Sequence, residues 1–147
     1  YLLLNKIKKF ENLTNINGKK EFGNIQDVCV LDSIYKQIEE HKWYLSEESN
    51  KAVSLKEAAT NWLNTIYHPI IKEIEKTNIL RYFPFKSAAD LYKDIMVHKY
   101  YLSEAEGYDV GVEKTILDYA SKFAPDISFD SLIKRIIKIM FKFVPKL

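Results

Sequence analysis

The chain aligns with itself over fifteen residues without a gap. Ser33-Ile-Tyr-Lys-Gln-Ile-Glu-Glu-His-Lys-Trp-Tyr-Leu-Ser-Glu47 matches Asp90-Leu-Tyr-Lys-Asp-Ile-Met-Val-His-Lys-Tyr-Tyr-Leu-Ser-Glu104 at an offset of 57 residues. Nine positions are identical: Tyr35/Tyr92, Lys36/Lys93, Ile38/Ile95, His41/His98, Lys42/Lys99, Tyr44/Tyr101, Leu45/Leu102, Ser46/Ser103 and Glu47/Glu104. The same offset pairs Val53 with Val110, Ala59 with Ile116, Trp62 with Tyr119 and Ile66 with Phe123. A unit copied in tandem constrains the fold before any other signal, because each copy must bury its apolar face against its neighbour. Two tandem homologous helical hairpins are expected, over about 30–67 and 87–124.

The apolar residues fall at helical spacing. Leu31, Ile34, Tyr35, Ile38 and Leu45 form one stripe at period 3.6. Ser54-Leu-Lys-Glu57 is a capping box that starts the next helix, through Ala58, Ala59, Trp62, Leu63 and Ile66. Pro69 lacks a backbone donor and is expected to kink or break that helix. Residues 78–86 read as the connection between copies, and Ser87-Ala-Ala-Asp90 opens the second long helix. Gly107 can end it in a left-handed conformation, and Gly111 stands where Ser54 stood. A short helix over 1–11, a loop over 12–24 and a last helix over 129–144 complete the reading. No period-2 run supports a strand, and four Gly and four Pro are too few for a turn-rich β protein. The fold class is all-α: five to six helices in a single domain, 1–147.

Composition narrows the function classes. With 47% hydrophobic and 29% charged residues the chain is globular rather than disordered. A single cysteine, Cys29, excludes an internal disulfide framework and fits a reducing, cytoplasmic setting. No run of about 18 apolar residues marks a transmembrane segment. The chain opens on Tyr1, so it is expected to be a piece of a longer protein. Residues 131–147 carry five basic side chains and no acid, so the 22 basic and 20 acidic residues divide into a tail of +5 and a body of −3. On charge grounds the body is a poor nucleic-acid binder, and the tail is the candidate if the chain binds one.

The repeated residues are the candidate site: His41, Lys42, Tyr44, Ser46 and Glu47, with His98, Lys99, Tyr101, Ser103 and Glu104. Both histidines fall on the apolar stripe, so both are expected to be largely buried and hydrogen-bonded. The sharper alternative is a shared metal or proton-sensitive pair at a pseudo-two-fold axis. Spacing argues against metal. A di-iron bundle needs Glu-x-x-His, and Ile38 and Ile95 stand where the glutamate belongs. No metal and no cofactor is expected. The Tyr/Ser/Glu cluster at the helix ends can line a polar pocket with the glutamate as acid or base. The structural reading is favoured: serine and glutamate bond the following turn and hold its angle. Lys42 and Lys99 are expected to snorkel to water or to pair with Glu47 and Glu104. Glu106-Gly-Tyr-Asp-Val-Gly111 superficially suggests a phosphate loop, but it lacks the lysine and the preceding strand and reads as a turn.

The tail combines Phe129, Leu132, Ile133, Ile136, Ile137, Met140, Phe143 and Val144 on one face with Lys134, Arg135, Lys138 and Lys142 on the other. Such a helix closes a core, meets a second chain or lies on an anionic surface, and the core reading is favoured.

Glu40-His-Lys-Trp-Tyr-Leu-Ser-Glu47, His98-Lys-Tyr-Tyr-Leu-Ser-Glu-Ala-Glu-Gly-Tyr-Asp-Val-Gly111, Trp62-Leu-Asn-Thr-Ile-Tyr-His-Pro69 and Phe83-Pro-Phe-Lys-Ser-Ala-Ala-Asp-Leu-Tyr92 resemble a helical module that follows a ParB-like domain in bacterial transcriptional regulators. A related motif occurs in a bacterial domain of unknown function attached to kinase-like domains. The resemblance covers about 30–123, and Phe85-Lys86 departs from it where a Gly-Arg-like turn is expected. It implies a non-enzymatic interaction module of a regulatory protein, with a protein partner or self-association, and with DNA contact resting mainly on an upstream domain. The alternatives are nucleic-acid binding through the basic C-terminal helix, and a small-ligand or enzymatic site built from the His/Tyr/Ser/Glu cluster.

Overall fold

The computed structural model describes residues 2–15 and 28–124. The basic tail with its expected helix, and most of the 12–24 loop, lie outside the described residues. The described residues form six α-helices: α1 (Leu2–Thr14), α2 (Val28–Ser49), α3 (Leu55–Trp62), α4 (His68–Thr77), α5 (Ala88–Glu106) and α6 (Val112–Phe123). A π-helical segment, Leu63–Tyr67, joins α3 to α4, and a 3₁₀ turn, Ile79–Tyr82, precedes α5. Among the described residues there is no strand. The fold is all-α.

The helix boundaries follow from their caps. Ser54 and Ser87 each accept a hydrogen bond from the backbone N–H three residues on, and Glu57 and Asp90 reach back to the serine N–H, so both capping boxes form. Gly111 starts α6 without a side-chain cap. The two long helices stop at equivalent places. Asn50 (φ 52°) follows α2, and Gly107 (φ 76°), 57 residues later, follows α5. Both sit in the left-handed region, where glycine and asparagine are the least strained residues.

Pro69 neither breaks nor ends its helix. The residue four before it, Thr65, lies inside the π segment, whose last bond runs from the His68 N–H to the Leu63 carbonyl. The wider turn takes up the missing donor and the ring clash that a regular α-turn would suffer. The helical path therefore continues through Ile70 and Ile74, both buried.

The N-terminal helix is longer than its composition suggests. α1 continues through Asn12 and Leu13 to Thr14, which is buried and bonds the Phe10 carbonyl at 2.8 Å. Its end is held from outside: Lys56 Nζ donates to the carbonyls of Asn12 (2.9 Å), Leu13 (2.8 Å) and Asn15 (3.0 Å). A cation there satisfies orphan carbonyls and opposes the negative end of the helix dipole. Lys56→Met should cost about 0.5–1 kcal/mol. Amide exchange should speed up within α1 while α5 and α6 stay protected. Uniform loosening of all helices would contradict this account.

The core joins both halves. Ile34 and Ile38 from α2, Leu91 and Ile95 from α5, Trp62 and Leu63, Ile74 and Ile116 are all essentially inaccessible to solvent. Trp62 stacks on Tyr67 (5.4 Å) and meets the Tyr92 ring edge-on (5.9 Å). The buried Tyr92 hydroxyl donates to Gln37 Oε1 at 2.7 Å, tying α5 to α2, and burial raises its pKa above the usual phenol value.

Candidate functional site: a paired polar ladder and an exposed aromatic face

The repeated serines tie each long helix to the start of the next. Ser46 Oγ donates to the Lys42 carbonyl (2.8 Å) and accepts from the Val53 N–H (3.2 Å). Ser103 Oγ accepts from the Val110 N–H (3.3 Å), the equivalent bond 57 residues on. Glu47 and Glu104 remain exposed beside them.

The histidines are half-buried rather than buried, because each lies at the rim of its hairpin and reaches across to the second helix. His41 Nε2 meets Asn61 Oδ1 at 2.8 Å, and His98 Nε2 meets Asp118 Oδ2 at 2.6 Å. Both contacts span twenty residues, and each stays within its own hairpin. The paired residue is a facing side chain in both cases, not a tyrosine or a backbone carbonyl.

Around this shared contact the two copies differ in charge. In the first hairpin the neighbours are neutral: Thr65 Oγ1 bonds Asn61 Oδ1 at 3.3 Å, and Gln37 accepts from Tyr92. In the second hairpin the equivalent residues are ionic. Lys122 Nζ lies 2.8 Å from Asp118 Oδ2. Asp94 stands where Gln37 stood, accepts from the Tyr119 hydroxyl at 3.1 Å, and pairs with Lys86. Burial pushes the Asp118 carboxyl up, but bonds from Lys122 and His98 outweigh it and hold it below the ordinary carboxylate range. The Asp94 bond raises the Lys86 pKa. Burial, followed by the Asp94 charge, raises that of Tyr119. The His98 ring also meets Tyr119 (5.6 Å) and Phe123 (5.7 Å) edge-on.

The repeated lysines and tyrosines lie outside this ladder. Lys99 pairs with Asp109 at 2.5 Å and not with Glu104. Asp109 also accepts from the Gly111 N–H at 2.9 Å, which makes 106–111 the turn its glycines suggest. The Lys99 bond, with help from Gly111, lowers the pKa of the exposed Asp109. Tyr44 and Tyr101 point outward, 56% and 63% exposed, as do their neighbours Trp43 (68%) and Tyr100 (63%). An open cleft of about 600 Å³ runs past Met96, Lys99, Tyr100, Ser103, Glu104 and Tyr108. A smaller groove of about 320 Å³, between α2 and α5, shares Met96 and Tyr100 and adds Val97 and Tyr101. Neither histidine lines either cleft.

Among the described residues no three of His, Cys, Asp and Glu gather as a metal would require. None of the described helices is long and apolar enough to cross a membrane. Lys134, Arg135, Lys138 and Lys142 lie outside the described residues.

Fold and site together define a small all-α domain whose half-buried polar contacts hold two hairpins and whose exposed chemistry is aromatic. The chain belongs to the family described as a domain of unknown function (DUF4032), whose model matches residues 23–66 and 55–123, more than half of its length. No curated protein and no solved structure matches the chain.

Proposed function

We propose that this domain is a non-enzymatic interaction module of a regulatory protein, acting through the outer faces of its two long helices. The exposed aromatic pairs carry the reading. Trp43-Tyr44 and Tyr100-Tyr101 occupy equivalent positions in both copies and are more than half exposed in each. Adjacent aromatic residues left in water forgo a large hydrophobic gain, and Trp and Tyr are the residues most enriched at the centres of protein interfaces. A catalytic reading is less well supported, since the histidines are bonded inside their hairpins and away from the clefts. The body's charge of −3 disfavours phosphate binding by these faces.

The resemblance to the module that follows ParB-like domains supports a bacterial, cytoplasmic transcriptional regulator in which another domain touches DNA. In-cell photo-crosslinking tests the reading, with p-benzoylphenylalanine at position 43 or 101 of the full-length protein. Both positions should give protein adducts that the same probe at Lys72, exposed on α4, does not. Adducts to nucleic acid alone, or none above the Lys72 control, would overturn it.

A further inference from the structure

We propose that the outer face of α5 is an isologous interface whose partner is a second copy of this chain, packed antiparallel. The proposal rests on the interaction reading and names the partner for that surface.

The face is one stripe of α5: Lys93, Met96, Val97, Tyr100, Tyr101 and Glu104. These positions follow the i, i+3, i+4, i+7, i+8, i+11 spacing of a single helical side. The opposite side, Leu91, Tyr92 and Ile95, is buried in the core. Val97 is 50% exposed, close to the values of the two tyrosines. Among the described residues neither Lys93 nor Glu104 is engaged in an ion pair.

The order of residues on this stripe is self-complementary. A two-fold axis across α5 midway between residues 98 and 99 brings together positions equally far from that midpoint. Lys93 then faces the partner's Glu104, Met96 faces the partner's Tyr101, and Val97 faces the partner's Tyr100. Every pair occurs twice, as symmetry demands. The two ionic pairs close the ends of an apolar centre, the usual arrangement of a rim around a core. The groove of about 320 Å³ beside Met96, Val97, Tyr100 and Tyr101 is placed to receive the partner's tyrosine rings.

The first hairpin shows why α5 and not α2 forms the contact. The equivalent register on α2 keeps the ionic ends, Lys36 and Glu47, and the aromatic pair, Trp43 and Tyr44. Glu39 and Glu40 replace Met96 and Val97. An antiparallel α2 pairing would press those two carboxylates against the aromatic rings and strip them of water, which is unfavourable without a compensating partner.

Sedimentation equilibrium of the full chain tests the proposal. The wild-type protein should be in reversible monomer–dimer equilibrium. Lys93→Glu or Glu104→Lys should each raise the dimer dissociation constant by roughly tenfold, since a two-fold interface repeats the reversed pair. An equimolar mixture of those two variants should regain wild-type affinity, because both cross-pairs are then of opposite charge. Val97→Glu, which copies Glu40, should abolish the dimer while thermal unfolding of the monomer is unchanged. Lys36→Glu should leave association unchanged. A chain that is monomeric at every concentration would overturn the proposal, as would a dimer that tolerates Val97→Glu. A mixture that fails to regain affinity would overturn the antiparallel register. If the chain is monomeric yet residue 101 crosslinks to a different protein in cells, self-association falls and the interaction reading stands.

Discussion

Trp62→Ala is expected to lower stability by about 3–5 kcal/mol, enough to unfold much of a domain of this size near physiological temperature. Trp62 is 1% exposed and, among the described residues, is the largest fully buried side chain. Its ring meets Tyr67 from its own helical path and Tyr92 from α5, and Tyr92 in turn bonds Gln37 on α2. The cavity left by alanine would therefore open between three elements at once. Trp62→Tyr, which copies Tyr119 at the equivalent position, should recover a large part of the loss. Chemical denaturation followed by circular dichroism measures both. A Trp62→Ala protein within about 1 kcal/mol of wild type would show that the three elements can collapse onto the void, against the usual behaviour of packed cores.

His98→Ala should cost about 1–3 kcal/mol, through the lost bond to Asp118 and the lost ring contacts with Tyr119 and Phe123. His41→Ala should cost less, because Asn61 is exposed and can be re-bonded by water. Acid response separates the hairpins further. The Asp118 carboxyl titrates below its ordinary value, so its stabilising effect is complete above the unfolded pKa, near 4, and is lost as pH falls through and below that value. Asp118→Asn recreates the His41–Asn61 contact in the second hairpin and removes the ionisable group. It should flatten the decline in stability below about pH 4 and lower neutral-pH stability toward the level the parent reaches in acid, because the ionic bonds to Lys122 and His98 are gone. Equal acid slopes for Asp118→Asn and the parent would place the acid sensitivity elsewhere.

The helices were legible in the sequence because their signals are local. Ser54 and Glu57, Ser87 and Asp90, and Gly107 act within one turn of themselves, and the structure places each at the helix end its chemistry implies. The aromatic face was legible only in part. Identity between copies marks Tyr44 and Tyr101, but the same stripe spacing that places Ile38 and Leu45 inward does not say how far outward a tyrosine turns. The polar ladder was the least legible. Identity singles out His41 and His98, whereas their partners differ in type between copies, Asn61 against Asp118. The usable signal was register rather than identity. Gln37 and Asp94, Asn61 and Asp118, and Thr65 and Lys122 are polar at the same offset of 57. The extension of α1 to Thr14 could not be read at all, since it depends on Lys56, more than forty residues away. Long-range capping of this kind leaves no periodic trace.

The π segment before Pro69 has a geometric consequence for the family to which this chain belongs. A π turn holds one residue more than the α-turn it replaces, and one residue of α-helix corresponds to about 100° of rotation. Leu63–Tyr67 therefore acts as a phase shifter within the rod that carries the first hairpin into the second. Deleting a single residue there would let a regular α-turn form with Ile70 and Ile74 still facing the core, though it would restore the Pro69 clash, whereas closing the bulge at unchanged length would turn both isoleucines off the core. The facing of Ile70 and Ile74 is thus encoded as a residue count matched to the width of one turn, so neither can change without the other.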